Sequence, residues 1–132
     1  MTELNQSFFR LEKVPKPPDT LSADAVREWK SLASELVNRG SITSGDLKAL
    51  ELLCEALAQV GVLTRTLTEE GYTVAAGGGG KKAHPAVRLL GETRRQCAQL
   101  LHQFGLTPTS RKLAPAQAAK KVNPFAELME KR

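Results

Sequence analysis

A chain of 132 residues, 41% hydrophobic and 25% charged, has the composition of one globular domain with tails, and no stretch has the length or apolarity of a membrane span. Its two cysteines, Cys54 and Cys97, form no CxxC or Cys/His cluster, which argues against zinc or a disulfide framework and for a reduced, intracellular protein. The net charge of +5 is uneven: residues 1–22 balance, residues 23–80 carry five bases against eight acids, and residues 81–132 carry eleven bases against three. An acidic middle and a basic end suit a polyanionic partner, most simply nucleic acid, or else a solvated basic tail.

The first 20 residues are polar and end in the proline-rich run Val14-Pro15-Lys16-Pro17-Pro18-Asp19, whose prolines lack backbone donors and suggest a flexible, extended arm. A helix begins at Ser22, a good N-cap, with Asp24 favourable at the positive helix end. Val26, Trp29, Ala33 and Leu36 make its apolar stripe, with Leu32 at the edge, and Arg39-Gly40 closes it.

Thr43 to Asp46 has capping-box spacing, with Asp in place of the usual Glu or Gln. The helix that follows runs to about Glu70, roughly 40 Å at 1.5 Å per residue, before Gly71. Leu47, Leu50, Cys54, Leu57, Gly61 and Thr64 trace one seam, while Leu52, Val62 and Leu63 lie outside it. Apolar side chains in several directions favour self-association, with Leu52, Leu57, Val62, Leu63 and Leu67 as candidate oligomer contacts. Two helices joined near Gly40 also match a helix-turn-helix layout. A plain helical hairpin fits better, because the second helix is long and its start carries Lys48 against Asp46, Glu51 and Glu55, which repel phosphate.

Residues 71–83 break the helical pattern. Alternation at Tyr72-Thr73-Val74 suggests a short β-hairpin arm near 72–83, with Gly77 to Gly80 as a flexible tip. The third helix starts at His84-Pro85, with His84 as cap, and stops at Phe104-Gly105. Val87, Leu90, Cys97, Leu101 and Phe104 form its apolar face, while Arg88, Arg95 and His102 recur every seven residues on another. Arg94 falls near the middle of the apolar arc by helical phase, so it must either pair with an acid or face a cavity or subunit boundary. Thr107-Pro108 starts a further short helix. Beyond an Ala- and Lys-rich connector, Asn123-Pro124 opens a segment with Phe125, Leu128 and Met129 on one side. That segment is either a peptide that docks on a partner or a frayed end packing on its own domain.

No catalytic constellation is present, so the chain does not read as an enzyme, and no cofactor or metal is expected. Gly77 to Lys82 resembles a phosphate-binding loop only superficially: Ala75 stands where the first glycine belongs and Lys82 where a hydroxyl residue should be. His84 and His102 are too far apart on one helix to share a metal, and Glu69-Glu70 suit a solvated helix end. The remaining signal is the basic set Lys81, Lys82, Arg88, Arg94, Arg95, Arg111, Lys112, Lys120 and Lys121. No aromatic residues interleave with it, so contact with phosphates of duplex DNA suits it better than stacking on single strands.

Taken in order, Pro15-Lys16-Pro17-Pro18, Leu21 to Ala25 with Glu28-Trp29, Asp46 to Leu50 with Cys54-Glu55-Ala56, Lys82 to Val87, and Phe104 to Arg111 form a pattern. It resembles the terminase small subunits of tailed double-stranded DNA phages. The resemblance implies an all-α fold: a long antiparallel helical hairpin with additional short helices, assembling into a cyclic oligomer. It also implies a non-enzymatic packaging protein in the host cytoplasm that binds viral DNA at the packaging site. Its partners would be double-stranded viral DNA, further copies of itself, and the large terminase subunit that carries the ATPase and nuclease, with Phe125, Leu128 and Met129 as docking residues. The glycine run Gly77 to Gly80 departs from the family's usual short polar turn. The expected organisation is an arm over residues 1–20, a helical oligomerisation and DNA-binding core over 21–113, and a basic linker with docking segment over 114–132. The alternative reading of the same residues is a dimeric helix-turn-helix transcriptional regulator. A third is an assembly adaptor that binds the large subunit without touching DNA.

Overall fold

A computed structural model of the chain describes residues 9–113. The elements follow in the order α1 (Ala23–Arg39), a 3-10 turn (Ser44–Asp46), α2 (Leu47–Glu70), β1 (Thr73–Ala75), β2 (Lys81–Ala83), α3 (Pro85–Gln103) and α4 (Pro108–Leu113). The fold is mostly helical, with one two-stranded antiparallel sheet.

Local signals set the boundaries. The Ser22 hydroxyl accepts from the Ala25 N–H at 3.2 Å, and Gly40, at φ 66°, lets its own N–H reach the carbonyls of Leu36 and Val37. The Asp46 carboxylate accepts from the Thr43 N–H at 2.9 Å and from its hydroxyl at 3.0 Å, so the capping box forms with Asp. It closes the 3-10 turn, and α2 begins one residue later. At the far end the Gly71 N–H bonds the Leu67 carbonyl at 2.8 Å.

α1 and α3 both pack on α2. The larger core gathers Leu21, Ala25, Trp29, Ala33 and Leu36 from α1 and its entry with Ile42, Leu50, Leu53 and Cys54. Leu100, Leu101 and Phe104 from the end of α3 pack against it. A smaller core joins Leu63 and Leu67 of α2 to Ala86 and Leu90 at the start of α3. The start of α3 therefore lies beside the end of α2 and its end beside the start of α2, so the two run antiparallel. Arg39 fastens α1 to the same end by donating to the Gly105 carbonyl at 3.0 Å.

Several sequence expectations change. On α1 the buried stripe runs through Ala25, Trp29, Ala33 and Leu36, with Ala25 in place of Val26, which is only half-buried. On α2 a single seam is replaced by two. Leu50, Leu53 and Cys54 serve the first core, and Leu63 and Leu67, roughly a third of a turn around the helix, serve the second. Gly61 and Thr64, which continue the expected seam, are exposed. The described part of the N-terminal segment, residues 9–20, is not a free arm. The Leu11 N–H donates to the Ile42 carbonyl at 2.9 Å, the Ser44 N–H to the Phe9 carbonyl at 2.8 Å, and the Trp29 indole N–H to the Pro15 carbonyl at 2.8 Å. A buried indole needs an acceptor, and a proline-rich strand that donates little still has carbonyls to offer.

Candidate nucleic-acid interface

The hairpin arm forms as expected. Thr73 pairs with Ala83, Val74 with Lys82 and Ala75 with Lys81. Beyond the strands the His84 N–H donates to the Tyr72 carbonyl at 2.8 Å, and at the tip the Ala76 N–H donates to the Gly80 carbonyl at 2.8 Å. Gly78 and Gly79 take φ values of 97° and 96°, which side-chain-bearing residues rarely adopt, so the tip needs glycine.

His84 joins the arm to α3. Its Nδ1 accepts from the Ala86 N–H at 3.0 Å, and Pro85 occupies the first turn, so the helix start is capped from within. Its Nε2 lies 3.6 Å from Glu70 Oε1 at the end of α2. An Nδ1 that accepts must carry no proton, which leaves the Nε2–H directed toward the carboxylate.

The buried residues of α3 are Ala86, Leu90, Thr93 and Cys97. At about 100° per residue, Arg88, Arg95 and His102 fall almost diametrically opposite the centre of that set, and all three are exposed. Arg94 is exposed as well. Its placement in the apolar arc is corrected: Ala86 and Thr93 draw the buried centre away, leaving Arg94 about 70° from it and needing no buried partner. Thr93 sits in the core because its hydroxyl is satisfied by the Leu89 carbonyl at 2.7 Å. Arg88 pairs along the helix with Glu92 at 3.2 Å, an exposed contact of small energetic weight.

α4 is held by reciprocal caps. Ser110 N–H donates to the Thr107 hydroxyl at 3.3 Å, and Thr107 N–H to the Ser110 hydroxyl at 3.2 Å. Ser110 is buried, while Arg111 and Lys112 project into solvent. Among the described residues, Lys81, Lys82, Arg94, Arg95, Arg111 and Lys112 make no ion pair. Thus seven of the expected basic residues lie exposed on the hairpin, α3 and α4. Lys120 and Lys121, and the docking residues Phe125, Leu128 and Met129, lie outside the described residues.

The start of α2 is different in character. Lys48 is engaged by Glu51 at 2.8 Å, a hydrogen bond that raises the ammonium's pKa and lowers the carboxylate's. Glu51 also accepts from the Thr20 hydroxyl at 3.3 Å. Nearer the far end of α2, Arg65 pairs with Asp24 of α1 at 3.3 Å.

The five apolar residues assigned to an oligomer contact separate into groups. Leu52 and Val62 are exposed, at 52% and 46%. Leu57 is half-buried against the larger core. Leu63 and Leu67 are buried inside this chain against α3, so they are not available to a second copy. The structure adds Leu89 on α3, 42% exposed, to the apolar side chains left facing solvent.

Cys54 and Cys97 are free, buried thiols. Burial, reinforced by the negative charge of Glu28 and Glu55, pushes Cys54 up to about 12, and burial with Glu28 pushes Cys97 up. Neither is a nucleophile at neutral pH. No helix among the described residues is long and apolar enough to cross a membrane.

Comparison with known proteins carries the assignment further. The family model described as phage terminase, small subunit, matches residues 25–124. No curated protein and no solved structure matches at a significant level. The match covers most of the chain, which therefore belongs to the phage terminase small-subunit family, with a role in phage DNA packaging.

Proposed function

We propose that this terminase small subunit binds viral double-stranded DNA at the packaging site, assembles into a ring, and recruits and regulates the large ATPase–nuclease subunit. It does so without catalysis or cofactor of its own, in the host cytoplasm. The observation that carries the DNA-binding part is the exposed cationic surface formed by Lys81 and Lys82 of the hairpin, Arg88, Arg94 and Arg95 of α3, and Arg111 and Lys112 of α4. Of these, all but Arg88, which pairs with Glu92, make no ion pair among the described residues and can neutralise phosphates and release counterions, whereas the start of α2 has its lysine engaged by Glu51 and another acid at Glu55. That asymmetry weighs against the regulator reading, in which the second helix of a helix-turn-helix would enter the groove. Leu52, Val62 and Leu89 are apolar surface that a ring could cover.

The test is binding of the full chain to duplex DNA across a salt series. A steep fall of log affinity with log salt is expected, and a flat response removes phosphate contact from the account. Arg95→Ala should reduce the slope by about one while leaving the fold intact. Native mass spectrometry should find a closed oligomer, and a monomer or dimer at working concentration overturns the ring. Deleting residues 123–132 should abolish stimulation of the large subunit, and unchanged stimulation overturns the docking role of Phe125, Leu128 and Met129.

A further inference from the structure

The hairpin stands apart from the rest of the cationic surface in shape, and its shape restricts the part of DNA it can enter. It packs mainly on itself rather than on the helices. From Gly71 to Gly91 there is no acidic residue, while Lys81 and Lys82 sit side by side on β2, both exposed and both without an ion pair among the described residues. The register fixes their directions. Residues directly opposite each other in an antiparallel pair share a face, and successive residues alternate. Lys82, opposite Val74, therefore points to one face of the ribbon, and Lys81, opposite Ala75, points to the other.

We infer that the β1–β2 hairpin enters the major groove of duplex DNA tip first, with Lys81 contacting the phosphates of one wall and Lys82 those of the other. This rests on the DNA-binding reading above and adds the groove, the orientation and the division of labour between two neighbouring lysines. A ribbon with side chains on both faces is about 10 Å thick, which fits a major groove roughly 12 Å wide and not a minor groove of roughly 6 Å. From its root at the Tyr72–His84 pair to the tip the arm reaches about 15 Å, more than the groove's depth of roughly 8.5 Å. The glycine tip brings no side chain to collide with base edges, so it passes where a bulkier turn would stop. At the root, His84, which caps α3 and lies 3.6 Å from Glu70, ties the arm to the end of α2 and the start of α3. An arm lying flat on the DNA surface would instead use one face and one lysine.

The experiment uses the full chain, a duplex of mixed sequence, and the same duplex with glucosylated hydroxymethylcytosine, whose sugars fill the major groove. Lys81→Ala and Lys82→Ala should each lower the salt slope by about one, and the double variant by about two. The wild type should bind the glucosylated duplex at least tenfold more weakly, and the double variant should lose most of that discrimination. Unchanged melting temperatures confirm that these exposed substitutions leave the fold alone. If the wild type binds with a steep salt dependence but neither lysine matters, only one does, or glucosylation has no effect, the groove insertion is overturned and the DNA-binding reading stands. If the wild type shows no salt-dependent binding at all, both fall together.

Discussion

At its N-terminal end α2 is enclosed by α1, the Ile42 turn and the last turns of α3, whereas toward Glu70 its buried side chains meet α3 alone. The enclosed end holds nine buried apolar residues including the only tryptophan, and the open end holds four. The start of α1 reaches the open end through the ion pair Asp24–Arg65 at 3.3 Å. Charge divides less cleanly: Lys81 and Lys82 of the hairpin belong to the open end, where Glu69 and Glu70 also lie, while Arg111 and Lys112 of α4 share the enclosed end with Glu51 and Glu55. One end thus supplies most of the buried core, and the other carries the hairpin with its two exposed lysines. Few buried contacts there also make local opening cheaper.

The comparison breaks most readily at Trp29. Its ring is 1% exposed in the larger core and its indole N–H holds the Pro15 carbonyl. Trp29→Ala should cost about 3 to 5 kcal/mol in urea unfolding and release residues 9–20. Leu67→Ala, 2% exposed in the two-helix core, should cost about 2 to 3 kcal/mol, the lower part of the range for such truncations, because one wall of the cavity can collapse inward. Hydrogen exchange should rise in α3's first turns and the hairpin while α1 stays protected. Equal losses with global loss of protection would mean that the two ends form one cooperative unit.

The sequence announces boundaries better than faces. Ser22, Gly40, Thr43 with Asp46, Gly71, His84-Pro85 and Thr107-Pro108 act on backbone groups within a few residues, so their effect is readable locally, and all are observed at or next to element ends. The buried arc of α2 depends on which neighbour lies beside each turn, and no local signal says that α1 gives way to α3 alone between Cys54 and Leu63. Leu63 and Leu67 therefore looked free when they are internal. Arg94 looked trapped because Val87 and Leu101 weigh on its side of α3, while small Ala86 and self-satisfied Thr93 carry the true centre. The stripe of Arg88, Arg95 and His102 was legible from period alone. That Lys82 shares a face with Val74 and Lys81 with Ala75 was not, because the pairing follows from strand register.

Cys54 offers a pH-dependent contrast within the enclosed end. Its thiol is raised in the folded protein from an ordinary value of 9.0 to about 12, chiefly by burial, so the folded state holds that proton more tightly than the unfolded one. The resulting stabilisation is complete below about pH 9 and is lost as pH rises toward 12. The stability difference between wild type and Cys54→Ala should therefore be constant from pH 6 to 8 and shrink above 9. A difference that stays flat through pH 11 would show that the thiol is not held in its neutral form by burial. At pH 8 neither cysteine should react with a disulfide reagent until the protein is unfolded.

The smallest effect, and the most informative about the open end, belongs to His84. Its Nδ1 satisfies one of the orphan N–H groups at the start of α3, and its other nitrogen faces Glu70, so one side chain fixes where α2, the hairpin and α3 meet. His84→Ala should cost about 1 kcal/mol, the usual worth of an N-cap, and His84→Asn should recover most of it because a short carbonyl can accept the same bond. The backbone bond from residue 84 to the Tyr72 carbonyl survives either change, so the strands remain paired while the arm loses its tie to the helix. DNA affinity should then fall in the Ala variant by more than a cap alone explains, with the salt slope unchanged. The lysines are still present, and only their placement is looser. An Ala variant that binds as the wild type does would mean that the arm's position is set by its strands and Gly71, not by the imidazole.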